Sequence, residues 1–520
     1  MSSAPPRRAL LRSTFLGLAS QYTFVLVQAV LGVVTLAVLS RLLRPEDFGL
    51  IGMATVFVGF AALLSQMGVA PALIQRRELS PEHVRVAVTL SLAMGVLMTL
   101  VGWGIAPWMG RFFRTEAVIP IIRALSFNFV LVSLGVVAQA LLERELEYGK
   151  LLWADVAALS LGTSLTAIVL AALGFGPWAL VGGSWGQHLI RSAVVCTLRP
   201  HPRRPLVARK EAGELLSLAG GFTLARVFNY VGNQGDYLVV GRVLGAGALG
   251  LYTRAYRLMM LPVAYFARVL TKVLFPVMAR MQDQPGRLRT TYLTGSAIIA
   301  LVTAPLSALL VITAPELVRV LLGPGWDAAV LPFQILSVGI LFRAGYMTGD
   351  SLARALGIMY ERSKREAVYA GLVLAGSLAG LRWGLPGVSV GILGAVLVNY
   401  VLAAAMSLRP LECGWGDYLR SQLPGLTLAG LAIACAWPVR SALVEVLPPA
   451  PLLLLTFGVT GVALAAALLL RPAFVLGADG SRAVLLLGSL VGSKRFPPGV
   501  ARRLERLAQE TSGTASPGTT

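Results

Sequence analysis

Four cations, Arg254, Arg257, Arg268 and Lys272, interrupt an otherwise apolar stretch between Gly250 and Pro276. At about 100° per helical residue they fall within roughly 60° of one another, with Leu261 and Tyr265 between them on that face. A charge near a bilayer centre costs at least about 2.5 kcal/mol on insertion scales, so the stripe predicts a wet cavity or an anionic ligand. Arg268 and Lys272 also fit a second reading, lying near the cytosolic end and snorkelling to the interface. The preceding segment repeats the pattern: Arg226, Asn229, Asn233 and Tyr237 follow helical spacing and share a face, with Asp236 at its edge. Near the start of the chain Gln21, Gln28 and Thr35 recur with a milder, neutral polarity. Together these stripes predict a cavity with one cationic and one neutral wall; Asn and Gln at such sites also serve as interhelical bridges, worth no more than about 1–2 kcal/mol. A third set, Arg343, Asp350 and Arg354, shares a face, and Asp350 and Arg354 lie one turn apart. It reads either as a structural ion pair or, with Asp350 or Asp236 protonatable, as an ion-coupling site. Arg123 stands alone.

The elements that position these residues are set by hydropathy. Apolar residues make up 56% of the chain and charged ones 13%, with a mean hydropathy of +0.75, which describes an integral membrane protein. At about 20 residues per crossing the expected fold is an all-α polytopic bundle of about fourteen transmembrane helices. These begin near residues 14, 47, 84, 118, 151, 176, 213, 248, 290, 328, 366, 387, 422 and 450. The apolar run after Arg7 and Arg8 continues to about Leu43, too long for a cleaved signal, and is read as a retained first helix.

Lys and Arg cluster in alternate loops, among them Arg76, Arg77 and Arg85, then Arg199 to Lys210, then Arg280, Arg287 and Arg289, then Arg362, Lys364 and Arg365. The asymmetry predicts cytosolic N- and C-termini. The net charge of +21 therefore follows topology and points to anionic membrane lipids rather than nucleic acid. Cys196, Cys413 and Cys435 show neither metal spacing nor a disulfide pattern, and His83, His188 and His201 form no cluster. With no Gly-rich loop ending in Gly-Lys-Ser or Gly-Lys-Thr, and no outward loop long enough for a catalytic domain, the reading is a non-enzyme without a metal or cofactor.

The halves resemble each other. Ser40-Arg41-Leu42-Leu43 and Phe48-Gly49-Leu50 align with Gly241-Arg242-Val243-Leu244 and Leu249-Gly250-Leu251 at one constant offset, and Gln28 then matches Asn229. The expected organisation is two parallel-repeat lobes of six helices, residues 1–198 and 211–408, plus two further helices over 409–471. Residues 199–210, rich in Pro and Arg, are expected to be an extended cytosolic linker, and 472–520 a cytosolic tail, partly disordered, with an amphipathic stretch from Ala501 to Glu510.

The run Asp236-Tyr237-Leu238-Val239-Val240-Gly241-Arg242-Val243-Leu244-Gly245, continuing through Leu249 to Leu258, Pro262 and Phe275-Pro276, resembles polysaccharide exporters of the Wzx type. So do the Ser40 to Leu50 stretch and Leu141-Leu142-Glu143-Arg144-Glu145-Leu146. These exporters belong to the multidrug/oligosaccharidyl-lipid/polysaccharide superfamily, and the resemblance covers roughly residues 10 to 470. It implies an inner-membrane flippase moving undecaprenyl-diphosphate-linked oligosaccharide, of O-antigen, capsule or exopolysaccharide, by alternating access. It also implies a polysaccharide polymerase and chain-length or export components as partners. The family's cationic cavity maps onto Arg226, Arg254 and Arg257, and guanidinium suits a diphosphate through bidentate hydrogen bonds. Asn229, Asn233 and Gln28 complete the expected cavity lining, with Asp236 and Asp350 as candidate ion-coupling acids. The alternatives are a lipid II flippase, which shares the charge logic, and a cation-coupled multidrug antiporter, against which the shortage of acids in the first span counts.

Overall fold

In the computed structural model the described residues are 27–470, without 66–68, 77–78, 203, 209–212 and 214–222; the side chains of 63–69, 223–226 and 268–269 are also outside the description. Gln21, the expected span start near 14 and the Ala501 to Glu510 stretch therefore lie outside it. Every regular element among the described residues is helical, as lipid demands of a chain whose backbone must satisfy its own hydrogen bonds.

The chain divides into two compact units, each built from stretches distant in sequence. The first reaches Tyr230 and adds Tyr237–Thr253 and Leu321–Gly323. It contains α1 (Val27–Leu42), α2 (Pro45–Ser65), α3 (Val69–Gln75), α4 (Pro81–Phe113), α5 (Val118–Ser126), α6 (Asn128–Arg144) and α7 (Tyr148–Ala157). A π-helical segment, Ala158–Leu165, leads into α8 (Thr166–Ala172), then α9 (Pro177–Leu198), most of α10 (Thr223–Val243) and the start of α11 (Gly245–Pro262). The second unit holds Val231–Asp236, the rest of α11, a second π-helical segment at Val263–Ala267 and α12 (Arg268–Ala279). It continues with α13 (Pro285–Ile312), most of α14 (Ala314–Leu321), α15 (Val330–Val338), α16 (Ile340–Ala355), α17 (Met359–Gly380), α18 (Gly384–Leu408), α19 (Trp415–Leu443) and α20 (Pro449–Leu470).

Helix starts are written in the sequence. Proline opens α2, α4, α9 and α13, where its missing N–H costs nothing, and Ser80 caps α4 by accepting from the His83 backbone while His83 reaches back to Ser80. Nine stretches among the described residues are long and apolar enough to cross a bilayer, or ten if the bent pair Asp327–Val338 and Ile340–Ala355 forms one crossing; the expected starts near 14 and 213 border or fall in residues outside the description. Two physical reasons account for part of the difference from the expected fourteen. One of the nine, Met359–Leu408, is 50 residues long and is a hairpin of α17 and α18. In addition α9, 22 residues long, carries Gln187, His188 and Arg191, which lower its hydropathy.

Glycines draw the α17–α18 hairpin together: a Cβ on Gly380 would meet the Gly387 carbonyl oxygen at 2.3 Å, and one on Gly391 that of Gly376 at 2.1 Å. This is the small-residue packing expected where lipid supplies no hydrophobic drive between helices.

The described residues among 200–208 form no helix, since prolines follow the end of α9, and they are strapped to their unit. Arg85 donates to the Arg204 carbonyl at 3.0 Å, and the Thr89 hydroxyl accepts from the Leu206 N–H at 2.9 Å and donates to its carbonyl at 3.0 Å. Leu206 and Ala208 cover the core of α3, α4 and α6, and Arg199 pairs with Glu145 at 2.7 Å.

Candidate functional site

In the first unit Gln28 is half-buried on α1 and Asn229 is exposed on α10; the Arg226 side chain lies outside the description. Thr35, one repeat further along the α1 stripe, donates to the Leu31 carbonyl and meets the Ser164 hydroxyl at 2.6 Å, so that position bridges α1 to the first π-helical segment. Arg123, exposed on α5, offers its carbonyl to the Trp103 indole.

In the second unit Asn233 and Arg254 are half-buried, Arg257 is exposed, and Asp236 is buried rather than at the rim of a polar face. Between Arg254–Arg257 and Lys272 the helix is not uniform, and the Arg268 side chain lies outside the description. The π-helical segment Val263–Ala267 stands between the two pairs, and i to i+5 bonding takes more residues per turn than 3.6, so counting at 100° per residue fails across it. Lys272 is exposed. The cationic feature that remains is Arg254 with Arg257, one turn apart on α11.

Asp350 does not pair with Arg354. Its Oδ1 lies 2.5 Å from Arg365 Nη2 and 3.4 Å from Arg362 Nε, and Arg362 also reaches Glu366 at 2.8 Å. Arg354 meets the Asp350 backbone instead of its carboxylate: its Nε donates to the Asp350 carbonyl at 3.3 Å, and its guanidinium lies over the Phe275 ring, 5.2 Å from the centroid. The cause is the chain reversal after α16, where Gly357, at φ +72, reverses the chain into α17 and sets the first turns of α17 against Asp350. Arg362 and Arg365, expected as loop residues that merely set topology, thus belong to a helix, and Arg365 is buried.

Around this pair Arg343 lies over the Tyr256 ring at 4.9 Å and Arg365 over the Tyr346 ring at 5.6 Å. Gly232 and Gly235 bring α10 close against α17: a Cβ at Gly232 would come 2.8 Å from Tyr369 Cδ1, and one at Gly235 3.0 Å from Leu374 Cδ2. The acids Asp236, Asp350 and Glu366 balance the cations Arg343, Arg362 and Arg365. Such a balance suits a buried set that holds helices together, because unpaired charge there is costly. With two guanidinium groups already on its carboxylate, Asp350 would bind a cation only by displacing one of them. Spacing made the α17 residues legible, since Arg362, Arg365, Glu366 and Tyr369 share a helical face; their assignment to a loop hid it.

A second polar chain was missed altogether. Arg191 on α9 reaches Asp155 on α7 and Gln139 on α6, each at 2.7 Å, and Gln139 donates to Glu143 at 2.7 Å. The signal was a lone acid and a lone base in apolar runs. Arg191→Ala is expected to lower stability in detergent by about 1–3 kcal/mol, since both acceptors lose a charged donor, with Arg191→Lys intermediate. Thermal unfolding of the three proteins would show that order, and equal midpoints would refute it.

Two residues of the motifs quoted above cap helices. Arg144 donates to the Leu73 carbonyl at 2.8 Å and to that of Arg76 at the C-terminal end of α3, and Arg242 donates to the Phe112 carbonyl at the end of α4 while lying over the Phe112 ring at 5.4 Å. Cations at those ends also meet the negative pole of each helix.

Residues 38–331, more than half of the chain, match the family model described as polysaccharide biosynthesis protein. The lipopolysaccharide biosynthesis protein WzxC of Escherichia coli K12 is 26% identical over 403 residues, which is 75% of this chain and 80% of the relative. The succinoglycan biosynthesis transport protein ExoT of Rhizobium meliloti 1021 is 27% identical over 311 residues, 59% of this chain and 63% of the relative. Among solved structures, the lipid II flippase MurJ in its inward closed conformation superposes with a TM-score of 0.69 at 13% identity, covering 88% of this chain and 99% of that one, a likeness of fold alone. The chain therefore belongs to the polysaccharide biosynthesis protein family.

Proposed function

We propose that this protein is a flippase for undecaprenyl-diphosphate-linked oligosaccharide, carrying the repeat unit of a surface polysaccharide from the cytosolic to the outer leaflet of a bacterial inner membrane. The match to WzxC over three quarters of the chain carries this reading. The Arg254–Arg257 pair supports it chemically. A diphosphate brings about two negative charges, and two guanidinium groups one turn apart replace part of its hydration with fixed donors. The lipid tail stays in the bilayer while diphosphate and sugars cross in a wet environment; the residues proposed to meet them are Asn233, Arg254 and Arg257 of the second unit and Gln28, Arg226 and Asn229 of the first. No covalent step is required of the chain, its N- and C-termini face the cytosol, and the polymerase and export components of the pathway are its partners.

The test is a strain lacking the gene, with undecaprenyl-linked sugars extracted and assigned to a leaflet. Accumulation on the cytosolic side together with loss of the surface polymer is the expected result. An unchanged pool would overturn the reading, and accumulation of the cell-wall precursor instead would favour lipid II as cargo.

A further inference from the structure

The starts of α2 and α11 carry matched glycines, and within the first unit they cross backbone against backbone. A Cβ added to Gly49 would lie 1.7 Å from the Ala246 carbonyl oxygen, and one added to Gly250 would lie 1.7 Å from the Pro45 carbonyl oxygen. The offset that aligns the halves pairs Pro45 with Ala246 and Gly49 with Gly250, so the contact is reciprocal. Glu46 also meets its own counterpart: a Cβ on Gly247 would lie 2.9 Å from Glu46 Oε1. Contact of i with j together with j with i is the signature of a two-fold axis, so the crossing sits on the pseudo-axis of the repeat. Beside it, a Cβ on Gly52 would come 3.2 Å from Leu249 Cδ2 and 3.3 Å from Thr253 Cγ2.

This joint has unusual mechanics. It is made of Cα–H to carbonyl contacts, worth about 0.5–1 kcal/mol each. At Gly49 and Gly250 the nearest atoms across the crossing are backbone atoms rather than side chains. It closes to backbone contact and reopens at low cost. Ordinary contact of a Cβ begins at 3.4 Å, so any side chain at either glycine would hold the joint open.

We propose that the Gly49–Gly250 crossing is the outer gate of the transport cycle: the two helix starts touch while the outer side is shut and part to release cargo. The proposal rests on the flippase reading, which supplies alternating access, and on loop charge, which places these helix starts at the outer face.

A reversible clasp tests it. In a background with Cys196, Cys413 and Cys435 replaced by Ala, Glu46→Cys with Gly247→Cys places two thiols at the crossing without touching Gly49 or Gly250. Oxidation is expected to join them within one chain and stop export, and a reductant is expected to restore it. Export at an undiminished rate by fully crosslinked protein would overturn the proposal, as would failure to crosslink.

A second arm reads opening without cargo. In the same background Arg257→Cys is labelled from outside with a membrane-impermeant thiol reagent. Gly49→Ala and Gly250→Ala should each raise labelling by several fold, while Gly458→Ala, whose Cβ would meet nothing within 4 Å, leaves it unchanged. Unchanged labelling in both gate variants would overturn the proposal, and should either fail to reach the membrane the clasp alone decides. Crosslinking and labelling need no substrate. An unchanged precursor pool in the deletion strain would therefore refute the flippase reading while leaving the joint's opening measurable.

Discussion

Arg254→Ala combined with Arg257→Ala will reduce export by at least about a hundredfold while leaving protein abundance in the membrane near normal. The size follows from removing two charged donors, each worth about 1.5–3 kcal/mol to a charged partner, from the proposed diphosphate site. The retained fold follows from their exposure, since Arg257 is exposed and Arg254 half-buried, and α11 at these positions does not depend on them for its core. That core comes instead from Tyr252, Ala255, Leu258 and Met259, all at most 3% exposed. Arg254→Lys with Arg257→Lys should regain part of the rate, because the charge survives but the planar fork that grips two oxygens is gone. The measurement is surface polymer together with the leaflet of the lipid-linked pool, at matched protein levels. Export at the parental rate would remove the pair from the cargo path, and loss of the protein from the membrane would assign it a structural role.

Arg365→Ala will have the largest effect on stability, about 3 kcal/mol in detergent. That is the lower end for breaking a buried ion pair, because Arg362 stays within 3.4 Å of Asp350. Arg365 is 5% exposed, and its removal takes the nearer of two guanidinium groups from the half-buried Asp350 carboxylate. Asp350→Leu with Arg365→Met should recover much of the loss, since apolar groups of similar volume often substitute for a buried pair without cost. Thermal unfolding of the parent, the single and the double variant gives the comparison. If the double variant is as unstable as the single one, the pair is not what binds α16 to α17. Export by the stabilised double variant then separates two roles for Asp350. A normal rate at every membrane potential makes it a structural anchor, and a lost potential dependence makes it part of ion coupling.

Much of this protein was legible before any coordinates. Hydropathy alone specified a helical membrane protein, because lipid offers the backbone no hydrogen bonds and every crossing must satisfy its own. The starts near 47, 84, 176 and 290 fall within a few residues of the prolines that open α2, α4, α9 and α13. The internal repeat was readable in Arg41 and Arg242, Gly49 and Gly250, and the family in the Asp236 to Pro276 run, since both depend only on residue order. Of the four cations, Arg254 and Arg257 stand one turn apart on α11, while a count of 100° per residue toward Arg268 and Lys272 assumes an unbroken α-helix and the π-helical segment at Val263–Ala267 interrupts it.

The tertiary structure decided whatever depends on which distant segments meet. Spacing offered Asp350 its neighbour Arg354, whereas the reversal at Gly357 brought Arg365 from the next helix to within 2.5 Å of the carboxylate. The linker's prolines predicted an extended chain but not that Thr89 and Arg85 would hold it to α4. Nor did Gly49 and Gly250, two glycines among 55, announce that they would lie against each other's partner carbonyls. Local sequence sets the form of each helix through short-range backbone and solvent energetics, while partners are chosen by packing between segments far apart in the chain.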